Sequence, residues 1–169
     1  MTSNTRATAA RMTPATIPAS AARRSITQWN TLLATLADLL DTLQPLAALL
    51  ARLYIAQAFF LSGLTKLRDW GTTLALFTDE YKVPLLPPEL AAVMGTAGEI
   101  GLPILLLAGL AGRVPALGLS VVNVVAVISL MEVAPAALQQ HITWGVVLAA
   151  LALYGSGKWS LDAWLARRV

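Results

Sequence analysis

Several ionisable or polar side chains stand inside or at the ends of long apolar segments, where their presence needs a chemical reason. The clearest is Glu99, because a charged carboxylate in the middle of a membrane-spanning segment costs at least about 2.5 kcal/mol unless it is protonated, paired or hydrated. Glu99 is therefore a candidate proton carrier or hydrogen-bond partner for a ligand. The further candidates for ligand binding or proton transfer are Lys66, Asn123, Glu132 and His141. Of these, His141 can change its charge near neutral pH.

A structural interpretation competes with the chemical one. Arg52 is the charged residue of the preceding apolar segment, and a long arginine side chain could reach Glu99 and form an ion pair that locks two helices together. Lys66 and Glu132 could extend to the lipid headgroups at a membrane surface. A histidine near a helix start, such as His141, could simply face the interface. The sequence leaves both interpretations open.

The composition identifies the medium in which these residues lie. Of 169 residues, 57% are hydrophobic and 12% are charged, whereas an ordinary soluble domain has about 25% charged residues. Most of the surface must therefore face lipid. The basic residues that give the net charge of +3 are concentrated at the termini and beside apolar segments, which excludes nucleic acid as a partner and is typical of a membrane protein.

The counts of cysteine and histidine restrict the cofactors. The chain has no cysteine and one histidine, which excludes disulfides, cysteine-ligated metals, covalent haem and haem ligation by two histidines of this chain. No metal site is expected. A redox function would need a diffusible cofactor such as a quinone, or a redox centre on a partner protein.

Four apolar segments predict transmembrane helices, at about residues 46–65, 90–111, 114–131 and 137–156. Each is close to the roughly 20 residues that cross a bilayer as a helix. Lysine and arginine are most frequent in the segments that a cytoplasmic N terminus would place inside the cell. The predicted fold is therefore an all-α, polytopic membrane four-helix bundle with both termini in the cytoplasm (N-in/C-in).

The flanking segments have their own patterns. Residues 1–25 are basic and rich in Thr, Ala and Ser, and are predicted to be a disordered cytoplasmic tail. Over residues 26–44, apolar residues recur at steps of three and four, which predicts an amphipathic helix at the membrane interface or against a partner helix. The four-helix domain would then occupy 45–165, and 166–169 would be a short tail. The Pro-rich outer loop, 66–89, is expected to cover the outer mouth of the bundle.

Three separated motifs resemble the DoxX family of small bacterial inner-membrane proteins. The first runs from Arg52 to Leu67 and is followed by Asp69-Trp70. The second is Gly98-Glu99-Ile100-Gly101-Leu102-Pro103. The third closes the domain as Gly155-Ser156-Gly157-Lys158-Trp159-Ser160-Leu161-Asp162. The resemblance covers about residues 51–165 and leaves the first 50 unmatched.

The resemblance implies a multi-pass protein of the bacterial inner membrane. It favours a membrane subunit of a redox complex, either quinone-linked or concerned with oxidative or metal stress, with lipid and another membrane protein as partners. The outer-loop segment 81–88 resembles a subgroup encoded beside metal-stress genes. A non-enzymatic anchor or assembly factor and a small oligomeric transporter remain alternatives, and the sequence leaves open whether the protein is an enzyme.

Overall fold

Six α-helices form the part of the chain that the computed structural model describes, residues 19–155 and 157–168, with side chains from residue 28 onward. They are α1 (Ala19–Arg68), α2 (Trp70–Asp79), α3 (Pro88–Ala108), α4 (Val114–Ser129), α5 (Pro135–Tyr154) and α6 (Leu161–Leu165). The predicted all-α class is confirmed. Of the tail predicted over 1–25, residues 1–18 lie outside the described residues, and α1 begins at Ala19.

Three described helices are long and apolar enough to cross a membrane: α3, α5 and the Gln28–Arg68 part of α1. The fourth apolar helix, α4, has 16 residues, which corresponds to about 24 Å at 1.5 Å per residue. It is therefore somewhat shorter than the ~30 Å of bilayer hydrocarbon. These helices are compatible with a membrane helical bundle. The orientation with both termini inside stays a prediction.

Helix α1 continues through Pro45 and includes both the predicted interfacial helix over 26–44 and the first predicted span. Proline has no N–H to donate to the carbonyl of Asp41, four residues earlier. The chain divides into two compact units after Asp41. In the first unit, large apolar side chains such as Trp29 and Leu40 are exposed. That this segment lies at a membrane surface stays a prediction.

In the second unit, residues 42–168, the core lies where α1, α3, α4 and α5 meet. The buried side chains of this core are Ile55, Phe59, Leu106, Ala116, Leu119, Leu148 and Leu151. A short turn joins α3 to α4, and it begins at Gly109, whose φ of 67° lies in the left-handed region that glycine adopts without steric penalty. Because the turn is short, α3 and α4 are antiparallel neighbours.

Helix α2 occupies the middle of residues 66–89, which the sequence predicts to be an outer loop. Asp69 caps its N terminus, because the Asp69 side chain accepts a hydrogen bond from the backbone N–H of Thr72. The apolar residues Trp70, Leu74, Phe77 and Tyr81 follow at helical spacing and pack with Ala91 and Ala92 of α3 in a second apolar cluster. The sequence contains both features, the capping aspartate and the helical spacing of apolar residues. The prolines that follow favoured the prediction of a loop.

The bundle of the second unit has two distinct ends. Helices α1 and α4 end, and α3 and α5 begin, at the end that carries α2, which we call the α2 end. The turn between α3 and α4 and the short helix α6 lie at the opposite end, which we call the α6 end.

Candidate functional site

The side chains of Lys66 and Glu99 form an ion pair, with 2.5 Å between Nζ and Oε2. Lys66 lies in the last turn of α1 and also donates a hydrogen bond to Oγ of Ser62, at 3.1 Å. Glu99 lies in the middle of α3 and is buried. Because the carboxylate is removed from solvent, a charged partner at hydrogen-bond distance is what allows it to remain in the bundle.

Gly63 is the reason that α1 and α3 can approach each other at this point. A Cβ on Gly63 would lie 2.8 Å from Cδ1 of Ile100 and 3.1 Å from Cβ of Glu99, which is closer than atoms normally pack. Lys66 follows Gly63 by three residues, so both lie on the same face of α1. The segment Ser62-Gly63-Leu64-Thr65-Lys66 therefore provides both the space and the cation for Glu99.

The structure does not bring together Arg52 and Glu99, which the sequence analysis suggested as an ion pair. Nη2 of Arg52 instead donates to the carbonyl of Trp159, at 2.5 Å. The reason is the direction of helical side chains, which lean toward the N terminus of their own helix. Arg52 leans toward the α6 end, whereas Glu99 of the antiparallel α3 leans toward the α2 end, where Lys66 meets it.

A cavity of about 230 Å³ lies at the α2 end beside this pair. Its wall includes the Lys66 side chain, and Phe77, Tyr81, Val83 and Leu86 line it from α2 and the strap, the name we give to residues 80–87. The remaining lining residues come from α3 and α4 and are Ala91, Met94, Gly95, Val121, Val122, Val125, Ala126 and Ser129. The cavity is therefore mostly apolar, and its polar side chains are Lys66, Tyr81 and Ser129.

The strap is held against the end of α4 by main-chain contacts. The N–H of Lys82 donates to the carbonyl of Ser129, at 2.7 Å, and Tyr81 forms an isolated antiparallel bridge with Leu130. Ser129 itself is buried, and its hydroxyl donates to the carbonyl of Val125, at 2.6 Å. These bonds fix the position of Tyr81 at the cavity.

Tyr81 is the functional candidate that the sequence analysis did not identify as a site residue. Its ring packs on Phe77 with 5.0 Å between ring centroids. Burial, and then the negative charges of Glu99 and Glu80, raise the pKa of the Tyr81 phenol above its ordinary value. The phenol therefore stays protonated over the physiological pH range and can act as a hydrogen-bond donor.

A second polar group joins α4 to α5. The ring nitrogen Nδ1 of His141 lies 2.8 Å from Oδ1 of Asn123, and Nδ2 of Asn123 donates to the carbonyl of His141, at 3.0 Å. When Nδ1 carries the proton of neutral His141, this contact is a hydrogen bond to Asn123, and Nε2 is left as an acceptor. The His141 ring also meets the edge of Trp144, with 5.1 Å between ring centroids.

The five candidate residues are thus not one cluster. Lys66 and Glu99 form one pair, Asn123 and His141 form another, and Glu132 is exposed in the connection between α4 and α5. Sequence spacing could not separate these groups, because residues on different helices meet only through the packing of the bundle.

The family model described as DoxX matches residues 47–132, about half of the chain. The chain belongs to the DoxX family. No curated protein and no solved structure matches the chain. The DoxX match begins in α1 and ends just after α4, so it includes the Lys66–Glu99 pair and all the residues that line the cavity.

The C-terminal motif of this DoxX protein lies outside the matched residues and docks at the α6 end. Besides the Arg52–Trp159 bond, the carboxylate of Asp162 accepts the N–H of Gly112, at 2.7 Å, and the N–H of Asp162 donates to the carbonyl of Gly109, at 3.2 Å. The motif therefore fastens the end of the chain to the turn between α3 and α4.

Proposed function

We propose that this DoxX protein is a membrane subunit of a redox complex, and that the cavity at its α2 end binds the headgroup of a quinone. The observation that supports this most strongly is the position of Lys66, which is paired with Glu99 and also lines a mostly apolar cavity. Ligand sites typically combine an apolar lining with a few polar groups that orient the ligand.

The size and the opening of the cavity suit the head of a lipid-soluble molecule. Pockets that enclose whole drug-sized ligands measure roughly 300–1,000 Å³, whereas this cavity measures about 230 Å³. It therefore suits a single ring system whose tail lies outside. Met94 and Val121 line the cavity and are also exposed, at 54% and 63%. The cavity thus has an apolar side opening between α3 and α4, through which a ligand could enter from the bilayer.

The polar groups match the acceptors of a quinone ring, which carries two carbonyl oxygens and takes up two electrons and two protons when it is reduced. The ammonium group of Lys66 and the phenol of Tyr81 are the donors that would bind these oxygens. The Glu99 carboxylate would hold the Lys66 ammonium in position as one of these donors, and Tyr81 would orient the ring. Without cysteine, and with a single histidine, the chain leaves the supply of electrons to a partner protein.

The bacterial inner membrane is the proposed location, with both termini in the cytoplasm and four spans. The core of the bundle is filled by side chains such as Ile55, Phe59 and Leu119, which does not favour a pore through a single copy. The anchor or assembly factor remains the competing function, since it needs only the docking surfaces of the bundle.

The test is the quinone content of the protein purified in mild detergent from native membranes, with quinones identified after solvent extraction. The cavity variant is Ala126→Phe, which would fill the space beside Val122 and Val125. Its matched control is Ala149→Phe, at an exposed position of α5 that does not line the cavity.

We expect about one quinone per chain in the wild type and in Ala149→Phe, and a loss of most of it in Ala126→Phe. Tyr81→Phe should weaken binding by roughly fivefold, which corresponds to one hydrogen bond of about 1 kcal/mol. If all four proteins carry the same trace of quinone, the proposal is wrong. Co-purification of a protein partner without quinone would instead support the anchor.

A further inference from the structure

Gln57 is a polar side chain on the outer surface of the bundle at a depth where lipid is expected. It lies five residues after Arg52 and nine before Lys66 along α1, which places it about 7.5 Å and 13.5 Å from them along the helix axis. Its side chain is exposed, and it makes no hydrogen bond within the described part of the chain. An amide without partners in hydrocarbon is unfavourable by several kcal/mol.

A groove lies directly beside this amide. It has a volume of about 210 Å³, and α1 contributes Leu53, Gln57 and Phe60 to it, while α3 contributes Pro103, Ile104 and Leu107. All of these residues except Gln57 are apolar. The groove can therefore receive side chains from another helix, with Gln57 as its single polar anchor.

The residues of α1 next to the groove, of which Phe60 and Leu64 are half-buried and the others exposed, follow the pattern of a helix–helix seam. Leu46, Leu50, Leu53, Gln57, Phe60 and Leu64 alternate in steps of four and three, which is the spacing of the a and d positions of a heptad repeat. Leu46, Leu50 and Leu53 are 41%, 55% and 48% exposed. In such a seam, a single polar residue at an a position fixes register and the number of helices.

We propose that two copies of this chain associate through this face of α1, with the two Gln57 side chains hydrogen-bonded to each other across a two-fold axis normal to the membrane. A carboxamide carries both a donor and an acceptor, so two copies related by a two-fold axis satisfy each other without any further group. Glutamine side chains that bond across helices are known to hold membrane helices together. A second copy is the occupant that matches both the amide and the seam.

Because the chain has no cysteine, a single introduced cysteine gives an unambiguous test in intact membranes. Leu53→Cys lies in the seam one step before Gln57, and Val146→Cys, on the exposed side of α5 at 66%, is the matched control. Two differently tagged copies are expressed together and oxidised with copper phenanthroline. We expect Leu53→Cys to give a disulfide-linked product that carries both tags, several times more abundant than any product of Val146→Cys.

The contribution of the amide is measured by adding Gln57→Leu. It should reduce the cross-linking of Leu53→Cys, and in the cysteine-free chain it should weaken dimerisation in detergent by about tenfold. The melting temperature of the monomer should not fall, because leucine is well tolerated in lipid. The proposal is overturned if Leu53→Cys cross-links no better than Val146→Cys, if its product contains a different protein, or if Gln57→Leu leaves dimerisation unchanged.

Discussion

Lys66 links Glu99 to helix α2 through two different groups. Its ammonium nitrogen lies 2.5 Å from Oε2 of Glu99, while its backbone carbonyl accepts a hydrogen bond from Oγ1 of Thr73, at 2.9 Å. Thr73 lies in the first turn of α2, which covers the α2 end of the bundle. Lys66 therefore connects Glu99 to the helix that lines the proposed ligand cavity.

The ion pair predicts a clear pattern of stability in single and double variants. Lys66→Met leaves the Glu99 carboxylate buried without its cation, and the loss of one partner of a buried pair costs about 3–5 kcal/mol. The double variant Lys66→Met/Glu99→Leu removes both charges and should regain most of the lost melting temperature in detergent. Equal melting temperatures for the single and double variants would show that the pair does not stabilise the bundle.

The approach of α1 to α3 predicts that Gly63 tolerates no large side chain. Gly63→Leu would force its new atoms into Ile100 and Glu99, and such overpacking costs about 1–3 kcal/mol. We expect a lower melting temperature and a weaker ion pair. The control is Gly101→Ala, whose Cβ meets no atom within 4 Å and should stabilise the helix slightly. Similar destabilisation by both variants would contradict the close approach at Gly63.

The bond from Arg52 to Trp159 predicts that Arg52 holds the C-terminal motif in place. Arg52→Met removes a charged donor, and a hydrogen bond of this kind contributes about 1.5–3 kcal/mol. Amide hydrogen exchange of Asp162 and Ala163 should become at least about tenfold faster. Arg68→Met changes an exposed arginine at the other end and should leave this exchange unchanged. Unchanged exchange in Arg52→Met would show that the motif docks without the guanidinium.

The cap of α2 predicts a dependence on pH. Asp69 accepts hydrogen bonds from N–H and Oγ1 of Thr72, at 2.9 and 2.7 Å, and these bonds lower the pKa of the Asp69 carboxyl. A carboxyl with a lowered pKa stabilises the fold above its ordinary pKa, and this stabilisation is lost as the pH falls through the lowered value. Protection of the Thr72 and Thr73 amides from exchange should therefore decrease on acidification.

Asp69→Asn is the control for this effect, because asparagine still caps a helix but does not titrate in this range. Its protection factors should stay constant over the same pH range. Asp69→Ala should lower protection at neutral pH as well. An equal loss of protection on acidification in wild type and Asp69→Asn would assign the pH dependence to another group.

Part of the site could be predicted from the sequence, because charge in an apolar segment is visible without a structure. Glu99 and Lys66 were identified in this way. The partner of Glu99 was not identified. The position of a residue along its helix axis does not give the direction in which its side chain leans. Tyr81 was not identified as a site residue, because its position depends on main-chain bonds to Ser129 and Leu130, 48 and 49 positions later in the chain.

The sequence by itself determined the class of the protein: few charges and four apolar segments require helices in lipid, and the motifs around Lys66 and Glu99 indicate the DoxX family. Only the tertiary structure decided which polar groups meet. It joined Lys66 to Glu99, Arg52 to Trp159 and Asn123 to His141. The physical reason is that the hydrophobicity of a segment depends on the residues of that segment alone. An ion pair or a hydrogen bond instead requires two groups within about 3 Å. Such proximity depends on how the helices pack.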